Sequence, residues 1–129
     1  MRLARLVFAA AGIWGVLITL PLYLLVDFMG RKSPPAINHT EFYYGFVDIT
    51  VAWQFAFLLI AKDPLRFRPM MLPAIFEKIS YVLSILLLFT QHQLSVSQSV
   101  LAVPDLLWAA LFIISFMRTD SNPVKPRLA

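Results

Sequence analysis

Residues 6–28, LVFAAAGIWGVLITLPLYLLVDF, contain a single charged residue, Asp27. They would run for about six helical turns, and this decides the solvent of the fold. At about 1.5 Å of helix rise per residue, about 20 apolar residues cover the roughly 30 Å of a bilayer's hydrocarbon. Three further stretches of the same kind follow at 42–61, 70–90 and 96–117. Together they occupy most of the 129 residues and leave no segment for a separate soluble core. The expectation is one all-α domain over residues 1–129, an integral membrane four-helix bundle.

Composition points the same way. With 60% hydrophobic and 14% charged residues and a mean hydropathy of +0.76, the chain is too apolar to present a wetted surface on every side. The absence of Cys removes disulfides, thiolate chemistry and Cys-based zinc or iron–sulfur sites. A pI near 9.8 would suit a nucleic acid partner, but the 11 Lys and Arg are scattered at the ends of apolar segments. The basicity therefore reads as topology and lipid contact, with no nucleic acid partner expected.

Those cations orient the chain. Arg2 and Arg5 precede the first span, Lys62, Arg66 and Arg68 fill the second connection, and Arg118, Lys125 and Arg127 follow the last span. Against these eight, only Arg31 and Lys32 lie in the first connection, and residues 91–95 carry no Lys or Arg. The positive-inside bias places both termini and residues 62–69 in the cytoplasm, with 30–40 and 91–95 outside. The first apolar run is longer than the usual 7–15 residues of a signal core, and Tyr23 to Phe28 offers no small-residue cleavage site, so a retained first helix is expected.

Local signals refine the elements. Pro21 should kink the first helix and free the carbonyl of Leu17, while Ala11, Gly12 and Gly15 permit close helix contact. Gly30 and Ser33-Pro34-Pro35 end that helix. Thr40 can cap the second, with Glu41 in its first turn. Pro64 and Pro69 bracket a short link in which Arg66-Phe67-Arg68 alternates basic and aromatic groups, a composition that suits anionic headgroups, although plain topology charges are the simpler reading. Pro73 suits an N1 position, so the third helix is expected to begin there rather than at Met70. Lys78 then lies near the inner interface, free to snorkel to headgroups while Glu77 faces inward.

The acids within the spans are the informative residues. Spacings of 3, 4 and 7 put Glu41, Tyr44, Gly45, Asp48, Ala52 and Phe55 on one face of the second span. Glu77, Ser80, Tyr81 and Ser84 form a stripe on the third, and Gln98, Asp105, Ala109 and Phe112 on the fourth. In the orientation above, Asp48 and Asp105 lie about two turns below the outer surface, Asp27 and Glu41 near it, and Glu77 in the inner half. Asp27, Glu41, Asp48 and Asp105 would then line one outward-facing polar pocket. A charge at the bilayer centre costs about 2.5–3.5 kcal/mol on insertion scales, so such groups face protein or water and find partners. The candidate ligand-binding set is Asp48, Asp105, Glu77, Glu41, Asp27, Gln54, Tyr44 and Trp108, and Arg66 and Arg68 are the candidate headgroup ligands. The plainer alternative is that Asp48 and Asp105 join helices through Gln54, Tyr44 and the carbonyls freed by Pro21 and Pro104.

Sharper chemistries have weaker support. His39 and His92 in the outer connections belong to no fixed ligand spacing, so no metal and no cofactor is expected. Paired carboxylates in different environments would serve general acid–base work on a lipid. Trp14, Trp53 and Trp108 would stack on a sterol or quinone, or simply pack. Asn38-His39-Thr40 matches a glycosylation acceptor, a tripeptide that arises often by chance.

The strings EFYYGF at 41–46 and AWQFAF at 52–57, with Asp63-Pro64, Arg66-Phe67-Arg68-Pro69, Glu77-Lys78 and Asp105-Leu106-Leu107, resemble a group of small bacterial integral membrane proteins of similar length. The resemblance spans nearly the whole chain and implies an inner-membrane protein of four helices, with no activity attached. A weaker resemblance, to the EXPERA group of sterol-isomerase and sigma-2-receptor type proteins, rests on Asp27 at the end of the first span and Asp48 with Gln54 on the second. The acid-to-Gln spacing differs, the loops are shorter and no His lies within a span, so this resemblance implies only a hydrophobic ligand held beside a buried acid. The expected role is non-enzymatic, in binding, transport accessory or membrane-integrity work. The alternative is a membrane-embedded enzyme or lipid-ligand protein using its buried carboxylates. Expected partners are membrane lipids, a small hydrophobic ligand, and a second copy or another membrane protein.

Overall fold

The computed structural model describes residues 1–119, which form helices and turns with no strand among them. Lys125 and Arg127, counted above among the cytoplasmic charges, lie outside the described residues. Helix α1 (Arg2–Thr19) continues into a 3-10 turn at Leu20–Leu24, and a short helix α2 (Val26–Lys32) follows. Helix α3 is Thr40–Lys62; a 3-10 turn at Arg68–Met70 leads into α4 (Met71–Thr90). Helix α5 (Val96–Ser99), a 3-10 turn at Val100–Ala102 and α6 (Val103–Arg118) run on from one another. The continuous rods Arg2–Leu24, Thr40–Lys62, Arg68–Thr90 and Val96–Arg118 are each long and apolar enough to cross a membrane.

The first rod ends four residues before the expected limit at Phe28. Pro21 sits at the start of the 3-10 turn, where it has no N–H to donate and its ring crowds the preceding turn. The chain tightens and stops at Leu25 before α2 begins, so Asp27 belongs to the first turn of α2 and not to the end of the span. A neighbouring helix does serve a carbonyl beside the break, that of Leu22, which accepts the Tyr43 hydroxyl at 2.7 Å.

Three other helix starts differ from expectation or add to it. Thr40 is the first residue of α3 and caps nothing; the N-cap is His39, whose Nδ1 lies 3.0 Å from Glu41 Oε1. Helix α4 begins at Met71, because the 3-10 turn carrying Pro69 feeds directly into it. Pro73 is thus its third residue, still in the first turn, where a missing N–H costs no intrahelical bond. At α5 the Ser95–Gln98 pair forms a capping box, Ser95 Oγ accepting from Gln98 N at 3.3 Å and Gln98 Oε1 from Ser95 N at 2.9 Å.

Helix α1 packs along α3 and α6, and α6 along α4, whereas α3 and α4 touch little despite their short connection. The small residues of α1 explain its approach to α3: a Cβ on Gly12 would lie 2.7 Å from Leu58 Cδ2 and 3.0 Å from the Gln54 carbonyl, and one on Gly15 would run into the Gln54 amide. The core gathers at one end of the rods, around Ala4, Phe8, Phe57, Ile60, Met71 and Phe112. There Phe8 stacks on Phe112 with ring centroids 4.2 Å apart, and Phe57 meets Phe112 edge-on at 5.0 Å. Elsewhere the rods turn large apolar side chains outward, among them Leu17, Phe42, Phe55, Phe76 and Leu107. Buried shares run from only 11% in the third rod to 39% in the first.

Candidate functional site

Lys78 stands in the second turn of α4 with 7% of its surface exposed. Its Nζ lies 2.8 Å from Asp105 Oδ1, 3.2 Å from Glu77 Oε2 and 3.4 Å from Glu77 Oε1. It also lies 5.5 Å from the centroid of the Phe57 ring. Pro104 near the start of α6 sets Asp105 in that helix's first turn, and the packing of α6 against α4 carries the carboxylate to the lysine. A buried ammonium is stable only when paired and hydrogen-bonded. This corrects the expectation that Lys78 snorkels to headgroups: a carboxylate from another helix and one from its own chain neighbour hold it inside.

Beside this ion cluster a cleft of about 370 Å³ opens between α1, α3, α4 and α6. Its walls are mostly apolar, with Trp14 and Ile18 from α1, Phe46 from α3, Tyr81 from α4 and Trp108 from α6. Thr50 and Gln54 add polar groups on the α3 side, although the Gln54 amide nitrogen is taken by the Thr50 carbonyl at 2.9 Å. Phe57 borders both the cleft and the close-packed core. The cleft therefore continues from the core toward the end of the rods that carries α2 and α5.

Of the eight expected ligand-binding residues, Glu77, Asp105, Gln54 and Trp108 line this cleft, and Asp48, Glu41, Asp27 and Tyr44 do not. The single outward-facing pocket of four acids is thereby overturned. Glu41, Tyr44, Asp48, Ala52 and Phe55 do share a face of α3, but that face is exposed, while Val47, Val51 and Gln54 are turned in and buried. Asp48 accepts a hydrogen bond from the Tyr23 hydroxyl, and the Tyr23 and Tyr44 rings stack at 6.3 Å. Gln54 is not the partner of Asp48. Glu41 pairs with His39, and Asp27 borders a separate cleft of about 220 Å³ with Gly30 and Arg31.

Arg68 is a further correction. Its Nε donates to the Thr119 carbonyl at 2.6 Å, Nη2 reaches the Phe116 carbonyl at 3.5 Å, and its guanidinium carbon stands 3.9 Å from the Phe116 ring centroid. It satisfies carbonyls left over at the C-terminus of α6 and is not free for headgroups, whereas Arg66 is exposed beside Phe67. Among the tryptophans, Trp14 and Trp108 border the cleft, and Trp53 packs 5.9 Å from Phe57. Of the described residues, no three among His, Asp and Glu converge as metal ligands.

Sequence reasoning missed Lys78 as the centre of the site. The signal was present, since an ionisable residue within an apolar span is functional by default, and Glu77 beside it advertised a charge pair. Comparisons of the chain with protein-family models, with curated proteins and with solved structures found no match.

Proposed function

We propose that this chain is a multi-pass protein of a bacterial inner membrane, with both termini cytoplasmic, that holds a small and largely apolar molecule in the cleft between α1, α3, α4 and α6. The role is one of binding or transport accessory rather than catalysis. The observation that carries it is the cleft itself. About 370 Å³ falls within the roughly 300–1,000 Å³ of small-molecule sites, and apolar walls with a few convergent polar groups are what such sites present. The exposed apolar flanks of the rods call for a lipid solvent, because soluble monomers seldom expose contiguous apolar patches of that extent.

Charge placement supports the orientation. Among the described residues, Arg2, Arg5, Lys62, Arg66, Arg68 and Arg118 gather at the end of the rods that holds the core, and Arg31 and Lys32 lie beyond the other end. The cleft then runs from the middle of the membrane into its outer half. Acid–base catalysis is the weaker reading, because Glu77 and Asp105 share one ammonium and neither carboxylate stands free beside the other.

Binding of decanol to the protein in nanodiscs, followed by native mass spectrometry, tests the reading. Wild type should retain the alcohol, and Thr50→Phe, which fills the α3 wall of the cleft, should retain far less. Equal retention by the two, or none by wild type, would count against a ligand cleft.

A further inference from the structure

We infer that the molecule this cleft accepts carries a single positive charge at its polar end, as a protonated amine on an apolar body does. The inference rests on the ligand-binding reading above and adds the sign of the ligand's charge. Among the described residues lining the cleft, the ionisable acids and bases are Glu77, Asp105 and Lys78, together with the phenol of Tyr81. Two carboxylates therefore face one ammonium. Lys78 Nζ is closest to Asp105, at 2.8 Å, and lies farther from both oxygens of Glu77, at 3.2 and 3.4 Å. Asp105 and Lys78 form the neutral pair, and Glu77 is left with the surplus negative charge. Both Glu77 oxygens reach only that shared ammonium, and no second cation lines the cleft among the described residues.

A buried charge without a full partner is expensive, and the rest of the cleft wall is mostly carbon and aromatic faces, with no further charged group. An ammonium entering the cleft neutralises that surplus. Trp14, Tyr81 and Trp108 border the same space and attract a cation through their ring quadrupoles. An anion, by contrast, would meet two carboxylates and a lysine already committed to both. A proton on the carboxylate pair is the competing way to neutralise the site, and a site so neutralised would show no preference for charge.

The test uses a matched set of probes, decylammonium, decanol and decanoate, titrated at mildly alkaline pH into the full chain in nanodiscs of zwitterionic lipid. Tryptophan emission reports binding because Trp14 and Trp108 border the cleft, and empty nanodiscs correct for partitioning. Decylammonium should bind about tenfold or more tighter than decanol, and decanoate more weakly than decanol. Glu77→Gln, which keeps the shape and removes the charge, should abolish the advantage of decylammonium over decanol; Asp105→Asn is the second variant should the first not fold, and should likewise shrink it. Decanol binding with equal or weaker binding of decylammonium overturns the charge inference and leaves the ligand cleft standing. A cation preference that survives Glu77→Gln overturns the assignment to Glu77. Failure of all three probes overturns the cleft itself.

Discussion

Lys78 Nζ and Asp105 Oδ1 meet at 2.8 Å and thereby tie α4 to α6 through a charge pair set among apolar side chains. Removing the lysine leaves two carboxylates close together without a cation. Breaking a buried pair from one side costs about 3–5 kcal/mol, so Lys78→Met should lower the melting temperature in detergent sharply. Adding Asp105→Asn to that variant should return part of the loss, with a coupling of about 1 kcal/mol or more. A double variant as unstable as the sum of the two singles would mean that the pair is not a unit.

The α1 and α3 contact predicts opposite outcomes at two glycines. Gly15→Ala pushes a methyl group into the Gln54 amide and should cost about 1–3 kcal/mol through overpacking. Gly45 has open space around the position of its Cβ, and Gly45→Ala should leave stability unchanged or raise it by about 0.5–1 kcal/mol through helix propensity. Thermal unfolding of the two variants side by side decides the matter.

Arg66 and Arg68, two residues apart, should separate cleanly. Arg68→Gln removes the charged donor from the α6 carbonyls and should cost about 1–3 kcal/mol of stability. Arg66→Gln should leave the melting temperature alone and weaken association with anionic nanodiscs by roughly 1 kcal/mol. A stability loss at Arg66 equal to that at Arg68 would contradict the capping role.

Asp48 and Asp105 should behave differently in ligand binding. Asp48 faces outward and holds the Tyr23 hydroxyl, so Tyr23→Phe should lower the melting temperature only slightly, and Asp48→Asn should leave decanol retention as it is in wild type. Asp105 borders the cleft, and Asp105→Asn should alter retention. Native mass spectrometry on both proteins distinguishes the two positions.

Topology follows from the cations. Reporter fusions after Ala129 and within residues 62–69 should read cytoplasm, and insertions within 30–40 should read the outside. An external signal from the C-terminal fusion would overturn the orientation and with it the outer placement of the cleft.

The four rods and the residues sharing each face were legible in the sequence. Length and hydropathy are properties of the chain taken one stretch at a time, and a helix fixes the angle between any two of its side chains whatever surrounds it. Asp105, Ala109 and Phe112 were thus placed together, and the last two are buried as a stripe. Gly12 and Gly15 were read correctly as a point of close approach, since missing bulk is a local fact.

Rotation of each rod about its own axis is another matter. A soluble helix announces its inner face by being apolar there, but α3 is apolar nearly all round, so its sequence does not say whether Asp48 or Gln54 looks inward. Only the packing of α1 against α3, through Gly12 and Gly15, turns Gln54 in and Asp48 out. Pairings between rods are equally invisible along the chain. Lys78 finds Asp105 because α6 lies on α4, and Arg68 finds the Thr119 carbonyl across 51 positions for the same reason. Hydropathy and helical periodicity thus determined which segments become apolar rods, while the tertiary contacts decided which charges meet and which face of each rod borders the cleft.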